Sequence, residues 1–223
     1  YVLKPDYKKI LIVHFGGIGD ILMCTPAIRL LKRNYPSSEV RFIVSDRLAV
    51  DVLERNQNVD DVIFFQQYKG GDIKNIFLDL KSSINGKLKL YFCYPIFILE
   101  NVLNRIDIGI SFGNFHAAGT FSNLLFDLLG IRKTIGGFGD YPELLSENID
   151  KNLLQKHWTD IYIGIIDVLV DGVKEKEIDL SMSYELTNDE KKLIELDIEQ
   201  KGLYEPNSIC IVHPGGSMQI NSR

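Results

Sequence analysis

The sequence predicts an α/β protein whose parallel sheet is flanked by helices. Three observations carry that expectation. Ile10 to Phe15 is a short apolar run rich in β-branched residues, the pattern of a strand buried on both faces. It stops at Gly16-Gly17-Ile18-Gly19, where glycines permit a tight turn and close approach by a ligand, and Ile21 to Tyr35 then reads as a helix. The strand–helix alternation repeats at once, and βαβαβ order calls for right-handed crossovers in a parallel sheet.

Taken in order, the first helix has apolar residues at 21, 22, 24, 27, 28, 30 and 31, one helical face. Pro26 is placed within its first two turns, where a missing N–H costs little, and Pro36 marks its exit. Val40 to Val44 is the second strand. Arg47 to Arg55 is a short helix with Leu48, Val52 and Leu53 expected inward, and Val62 to Phe65 is the third strand. In the stretch from Gln66 to Arg105, Tyr68 to Asp72 is a turn, and Ile73–Leu80 and Leu88–Leu103 are apolar segments expected to be helical, the second interrupted by Pro95. Ile106 to Phe112 returns to strand character. Ala117 to Leu129 is a helix closed by Gly130, Lys133 to Phe138 a short strand, and Gly139 to Glu147 a loop. Leu153 to Val170 is a long amphipathic helix, and Glu177 to Tyr184 a connector. Thr187-Asn-Asp-Glu190 is a capping box opening a helix to about Gln200, ended by Gly202. Ile209 to Val212 reads as a further strand, followed by the glycine turn His213-Pro-Gly-Gly-Ser217.

Composition excludes several classes. The 223 residues are 45% hydrophobic and 25% charged, an ordinary globular balance that supplies a core of normal size. A net charge of −5 with no Lys/Arg block argues against a nucleic-acid partner. Cys24, Cys93 and Cys210 are widely spaced among apolar residues and read as free thiols in a reducing compartment, not as a disulfide frame or metal site. The first residues show no signal-peptide pattern, since Lys4, Asp6, Lys8 and Lys9 precede an apolar run expected to be a core strand, and the sequence has no 18-residue apolar stretch of the kind that spans a membrane. Leu88–Leu103 is apolar enough for membrane contact, but it lacks a basic face, which favours a buried helix.

The glycine loop admits two familiar motifs only on inspection, and both fail. The glycines at 16, 17 and 19 do not make a dinucleotide fingerprint, because Leu22 stands where its last glycine belongs. No Gly-Lys-Ser/Thr follows, so a Walker loop is excluded as well. Asp20 remains, at a helix start and at the mouth of a parallel sheet. Two roles are open to it there: a helix N-cap, which suits Asp, and a carboxylate serving chemistry at the strand ends.

The longer string from Ile10 to Pro36 resembles the start of glycosyltransferase family 9, the bacterial ADP-heptose:lipopolysaccharide heptosyltransferases. The shared items are the Gly19-Asp20 pair, the Thr25-Pro26-Ala27 step and the Leu31-Lys-Arg-Asn-Tyr-Pro36 ending. The likeness continues at Asn58–Ile63, at Ile131–Phe138 and at His213–Ser217, so it touches most of the chain in order. It implies a Rossmann-like domain, the N-terminal half of a GT-B fold, in an inverting and metal-independent glycosyltransferase with no cofactor beyond its nucleotide-sugar substrate. ADP-heptose or a related donor, a lipid-linked glycan acceptor of the lipopolysaccharide core or another bacterial surface glycan, and a cytoplasmic location at the inner face of the membrane follow from the same resemblance. By it, residues 1–205 form the acceptor-side domain and 206–223 begin a donor-binding domain. Position 1 is not Met, and no unit closes around the last strand, so a piece of a longer protein is expected, inactive by itself.

The same resemblance distributes roles. Asp20 matches the aspartate that family members use as base, and Gly16, Gly17 and Gly19 would keep side chains clear of the substrates. Their alternative is a turn needing positive φ. Thr25 lies a little more than one turn from Asp20 and would share its cleft, or else bond to its own helix backbone. His116 stands at a helix start on the acceptor side, or is an exposed loop histidine. Gly215, Gly216 and Ser217, with Arg223 beyond, match the segment that contacts the donor diphosphate; the alternative for Ser217 is an N-cap. His14 stands where the family carries Arg or Lys. That departure counts against an acceptor-phosphate contact there and favours a core histidine at a strand end. His157 and Trp158 are read as capping or packing residues. Two rivals stay open: a family 9 enzyme with another donor or a protein acceptor, and a non-catalytic nucleotide- or sugar-binding module with the same shell.

Overall fold

The structure, a computed structural model, describes residues 6–65, 105–113, 116–137, 142–149, 153, 155–170 and 179–202. The apolar segments expected between 66 and 104, the strand at Ile209–Val212 and the turn at His213–Ser217 lie outside the described residues. The chain divides into two compact units, Tyr1–Glu185 and Leu186–Arg223.

The first unit is built on a sheet of six parallel strands, β1 (Lys9–Val13), β2 (Glu39–Val44), β3 (Asp61–Phe64), β4 (Ile108–Ser111), β5 (Lys133–Gly136) and β6 (Glu147–Asn148). Their spatial order is β3-β2-β1-β4-β5-β6, with every neighbouring pair parallel. The first two crossovers run one way from β1 and the later ones run the other way. β1 and β4 therefore flank the point where the order reverses, and a crevice opens beyond their carboxyl ends. The central strand is apolar on both faces because both are covered: Ile10, Leu11, Ile12 and Val13 are all fully buried.

Helices divide between the faces according to the strands' two-residue period. Ile10 and Ile12 share one core with α1 (Ile18–Asn34), α2 (Arg47–Glu54) and α4 (Trp158–Val170). Leu11 and Val13 face the other side, with Phe121, Leu124, Leu125 and Phe126 of α3 (His116–Leu128). Each such side chain contributes roughly 1.5–3 kcal/mol by leaving water. A Cβ at Gly109 would stand 2.8 Å from the Phe126 ring, so the glycine lets α3 lie close on β4. The second unit's described element is α5 (Asn188–Gln200), opened by the expected capping box: Glu190 N–H donates to Thr187 Oγ1 at 3.2 Å, and Thr187 N–H donates to Glu190 Oε2 at 2.8 Å. Gly130 and Gly202 end α3 and α5 with φ of 69° and 66°, the left-handed turn that glycine adopts without strain.

Several expectations need correction. α1 begins at Ile18, three residues before the expected Ile21, because Gly17 serves as its N-cap in extended conformation. Pro26 is therefore deep inside the helix and not in its first two turns. Leu48 is exposed and Ala49 and Val50 are buried in its stead, since Asp46 accepts from Leu48 N–H and so fixes where the first turn of α2 faces. Leu153 is in a 3₁₀ turn and not in the long helix; α4 starts at Trp158. The expected loop at 139–147 contains a single 3₁₀ turn, Pro142–Leu144, and reaches the start of β6.

Candidate functional site

β1 ends at Val13, and the sheet ladder carries on briefly as His14 N–H donates to Ile43 O and Phe112 N–H donates to Val13 O, both at 3.0 Å. Past that point the chain turns through Gly16 and Gly17 into α1. Asp20 is the third residue of that helix, half-buried at the carboxyl edge of the sheet between β1 and the crevice. Its Oδ2 accepts from Gly17 N–H at 3.0 Å, satisfying an amide that the first helical turn leaves unpaired. Oδ1 makes no hydrogen bond among the described residues. Asp20 is thus not the N-cap, as one expectation had it: one oxygen braces the turn, and the other makes no bond among the described residues.

The three loop glycines divide by what surrounds them. A Cβ at Gly16 would lie 2.5 Å from His14 Cε1 and 2.6 Å from both Asp20 Cβ and Asp20 Oδ2, so only a glycine lets the His14 ring and Asp20 close on the turn. A Cβ at Gly17 or Gly19 would meet nothing within 4 Å, and both residues are exposed. None of the three has positive φ; the expectation that the turn requires it is corrected, and close packing is the reason for Gly16.

His14 is fully buried, as its position among apolar residues predicted. Its Nδ1 accepts from Gly16 N–H at 2.9 Å, which leaves the ring proton on Nε2, and Nε2 donates to Tyr162 Oη at 3.0 Å. Burial holds its pKa down at about 3, so the ring is neutral. Tyr162, in α4, is also fully buried, and the Cys24 thiol lies near it. Cys24 Sγ in turn donates to Asp20 O at 3.2 Å. Burial, then the nearby thiol and the Asp20 carboxylate, push the Tyr162 hydroxyl well above the usual phenol range. Burial and the same carboxylate raise Cys24, partly offset by the nearby Tyr162 hydroxyl. Both groups therefore stay protonated.

Sequence reasoning missed Tyr162. The signal was there: a phenol inside the buried run Ile161-Tyr162-Ile163 needs a hydrogen-bond partner. Trp158 packs on it with ring centroids 6.1 Å apart, and His157 Nδ1 accepts from Thr159 N–H at 3.3 Å, so these two residues pack and cap as read.

Thr25 is brought into the packing instead of the cleft. It is fully buried, its hydroxyl donates to Leu22 O at 2.8 Å, and its Oγ1 accepts from Ser183 N–H at 3.0 Å. Leu22 O is the carbonyl that Pro26, lacking an N–H, cannot address. The threonine hydroxyl repairs the gap the proline leaves, which corrects its assignment to the acceptor side. Arg29 reinforces the same strap, donating to Asp179 Oδ2 at 2.7 Å and to Ser181 O at 2.9 Å. His116 opens α3, which follows β4 at the crevice end of the sheet. Gly215, Gly216, Ser217 and Arg223 lie outside the described residues. Among the described residues no three His, Cys, Asp or Glu side chains group as metal ligands, and no helix is long and apolar enough to cross a membrane.

No family model and no curated protein matches this chain. Solved structures do. The glycosyl transferase family 9 protein from Veillonella parvula DSM 2008 superposes with a TM-score of 0.64 at 19% identity, covering 91% of this chain and 52% of that one. ADP-heptose lps heptosyltransferase II from E. coli gives 0.53 at 18% identity, over 86% and 50%. The E. coli heptosyltransferase WaaC, solved with ADP, gives 0.54 at 15% identity, over 78% and 51%. The chain spans about half the length of the solved structures it matches. At these identities the likeness establishes the fold: a Rossmann-like parallel sheet with flanking helices, as found in glycosyltransferases of this kind.

Proposed function

We propose that this chain is the acceptor-side half of an inverting glycosyltransferase, with Asp20 as the base that takes the proton of the acceptor hydroxyl. The observation that supports it most directly is the carboxylate at the reversal point of the sheet, braced through Oδ2 and with Oδ1 unbonded among the described residues. In the proposed reaction the acceptor oxygen attacks the anomeric carbon of a nucleotide sugar. Its proton passes to Asp20, and the nucleoside diphosphate leaves from the opposite face. Gly17 and Gly19, with open space above them, let the acceptor sugar approach the base without a side chain between. Gly16 has the different task of letting Asp20 close on the turn.

The donor is a nucleotide sugar, ADP-heptose in the first instance, since two of the similar structures are named as heptosyltransferases and one was solved with ADP. Gly215, Gly216 and Ser217, with Arg223, are assigned to its diphosphate by resemblance. The acceptor is a lipid-linked glycan met at the inner face of the membrane by a cytoplasmic protein, and no metal or cofactor takes part. The rival binding module would use Asp20 as a buried structural cap with both oxygens occupied; Asp20 is half-exposed, and among the described residues only Oδ2 is bonded.

Asp20→Asn in the complete protein tests the proposal. Transfer from ADP-heptose to a truncated lipopolysaccharide core should fall by about 10²–10⁴-fold, the usual contribution of a positioned general base. The fold should persist, because the amide oxygen still accepts from Gly17 N–H. Undiminished turnover removes Asp20 as base. Transfer from another donor keeps the reaction and changes the sugar.

A further inference from the structure

We propose that Tyr162 is a positioning residue for Asp20, acting through a buried hydrogen-bond belt that runs from α4 through His14 to the glycine turn; this rests on the reading of Asp20 as the base. The belt begins at Gly16 N–H, which donates to His14 Nδ1. It passes from His14 Nε2–H to Tyr162 Oη, so one end lies on the turn and the other is supplied from α4.

The direction of every bond is fixed. A backbone N–H can only donate, so His14 Nδ1 accepts and Nε2 carries the proton. Tyr162 Oη accepts from that nitrogen. His14 and Tyr162 are both fully buried. No water competes for these bonds, so the arrangement has one polarity and one geometry. Rings hold the phenol from three sides: Phe112 at 5.1 Å, His14 at 5.5 Å and Trp158 at 6.1 Å between centroids. The belt holds the turn on which Asp20 closes, since Gly16, its first donor, lies against Asp20 with no room for a Cβ. A second bond, Gly17 N–H to Oδ2, then aims the carboxylate. His14 belongs to this chain's version of the turn, where the resembled family carries Arg or Lys, so the belt is particular to this sequence.

The test is Tyr162→Phe, which keeps the ring packing and removes the oxygen that anchors the His14 ring. Two readouts are taken on the complete protein. The first is amide hydrogen exchange at Gly16 and Gly17, with the amides of β2 as reference. Exchange at the turn should rise by about tenfold, the factor one buried hydrogen bond carries in local opening, while the reference stays unchanged. The second is steady-state transfer with ADP-heptose and a truncated lipopolysaccharide core: kcat should fall by about tenfold or more with KM for both substrates unchanged, as expected when a base is misplaced but binding is intact. Unchanged exchange at Gly16 and Gly17 in Tyr162→Phe, or an equal rise in β2, overturns the belt. A belt that holds by exchange with kcat unchanged overturns the positioning role. If the wild-type protein transfers nothing, the proposed reaction fails, and the exchange measurement still decides whether the belt holds the turn.

Discussion

Alanine substitution at two glycines three residues apart should move stability in opposite directions. At Gly16 the added Cβ would stand 2.5 Å from His14 Cε1 and 2.6 Å from Asp20 Cβ. Real carbon contacts lie near 3.5–4.0 Å, so about an ångström of movement is needed. Neither neighbour can give way cheaply. The His14 ring is pinned by Gly16 N–H on one nitrogen and Tyr162 on the other, and Asp20 Cβ is fixed to the first turn of α1. Overpacking against such surroundings costs about 1–3 kcal/mol, and loss of the Gly16–His14 bond adds about 1 kcal/mol. Gly16→Ala should therefore destabilise by about 2–4 kcal/mol. At Gly19 nothing lies within 4 Å, φ is not positive, and the residue sits inside α1. Removing the extra backbone entropy of glycine from a helix should stabilise by about 0.5–1 kcal/mol.

Urea unfolding of the wild type and both variants measures the two effects, read at constant m so that a change in midpoint is a change in stability. Equal small losses at both positions would refute the packing argument for Gly16. Activity completes the contrast. If the exposed side of Gly19 faces the acceptor, Gly19→Ala should gain stability and lose transfer; a more stable variant with full transfer would leave Gly19 with no role in the cleft.

Two further outcomes follow from the described contacts. Thr25→Val should destabilise by about 1–3 kcal/mol in urea unfolding, because it leaves Leu22 O and Ser183 N–H without their partner. Adding Pro26→Ala should recover about 1 kcal/mol by returning a backbone N–H to Leu22 O, and no recovery would show that the threonine's role is not to replace that donor. For His14, burial lowers the folded pKa to about 3 from 6.5, so the unfolded chain takes up a proton that the folded one refuses. Stability is then present above pH 6.5 and is lost as pH falls toward 3, by about 1.5 kcal/mol between pH 6.5 and 5. His14→Gln should flatten that window, and an unchanged slope would mean that His14 titrates alike in both states.

The sheet was legible because its signals are local and repeated. β1 is an unbroken apolar run, which only a strand covered on both faces can afford, and the helix–strand alternation behind it left little choice of topology. Element ends were less legible where a cap was not a side chain. Nothing about Gly17 announces an N-cap, so α1 was expected to start at Ile21. Thr187-x-x-Glu190 does announce one, and α5 starts where it should. Asp20 could be singled out from its place at the end of β1. The partners of Thr25 and His14 could not, because Ser183 and Tyr162 lie 158 and 148 residues away along the chain.

This difference in range explains how the turn is constructed. A glycine loop that must leave open space for a substrate cannot be held by its own side chains, since Gly17 and Gly19 have none and Gly16 must have none. Its support has to come from elements remote in sequence, and it must reach the loop through buried groups so that the crevice side stays open. A histidine under the turn and a phenol from α4 meet both conditions. The apolar setting that makes these two groups look like plain core residues in the sequence is also what makes their bonds directional. It keeps water out and keeps His14 neutral, so that its Nδ1 can accept from the Gly16 amide. A charged Arg or Lys at position 14 could not accept that bond, and Tyr162 would then have no neutral donor to orient its hydroxyl. His14→Lys should for that reason cost more than the loss of one contact: it frees the Gly16 amide and breaks the first link of the belt. The resulting rise in exchange at Gly16 should match that of Tyr162→Phe.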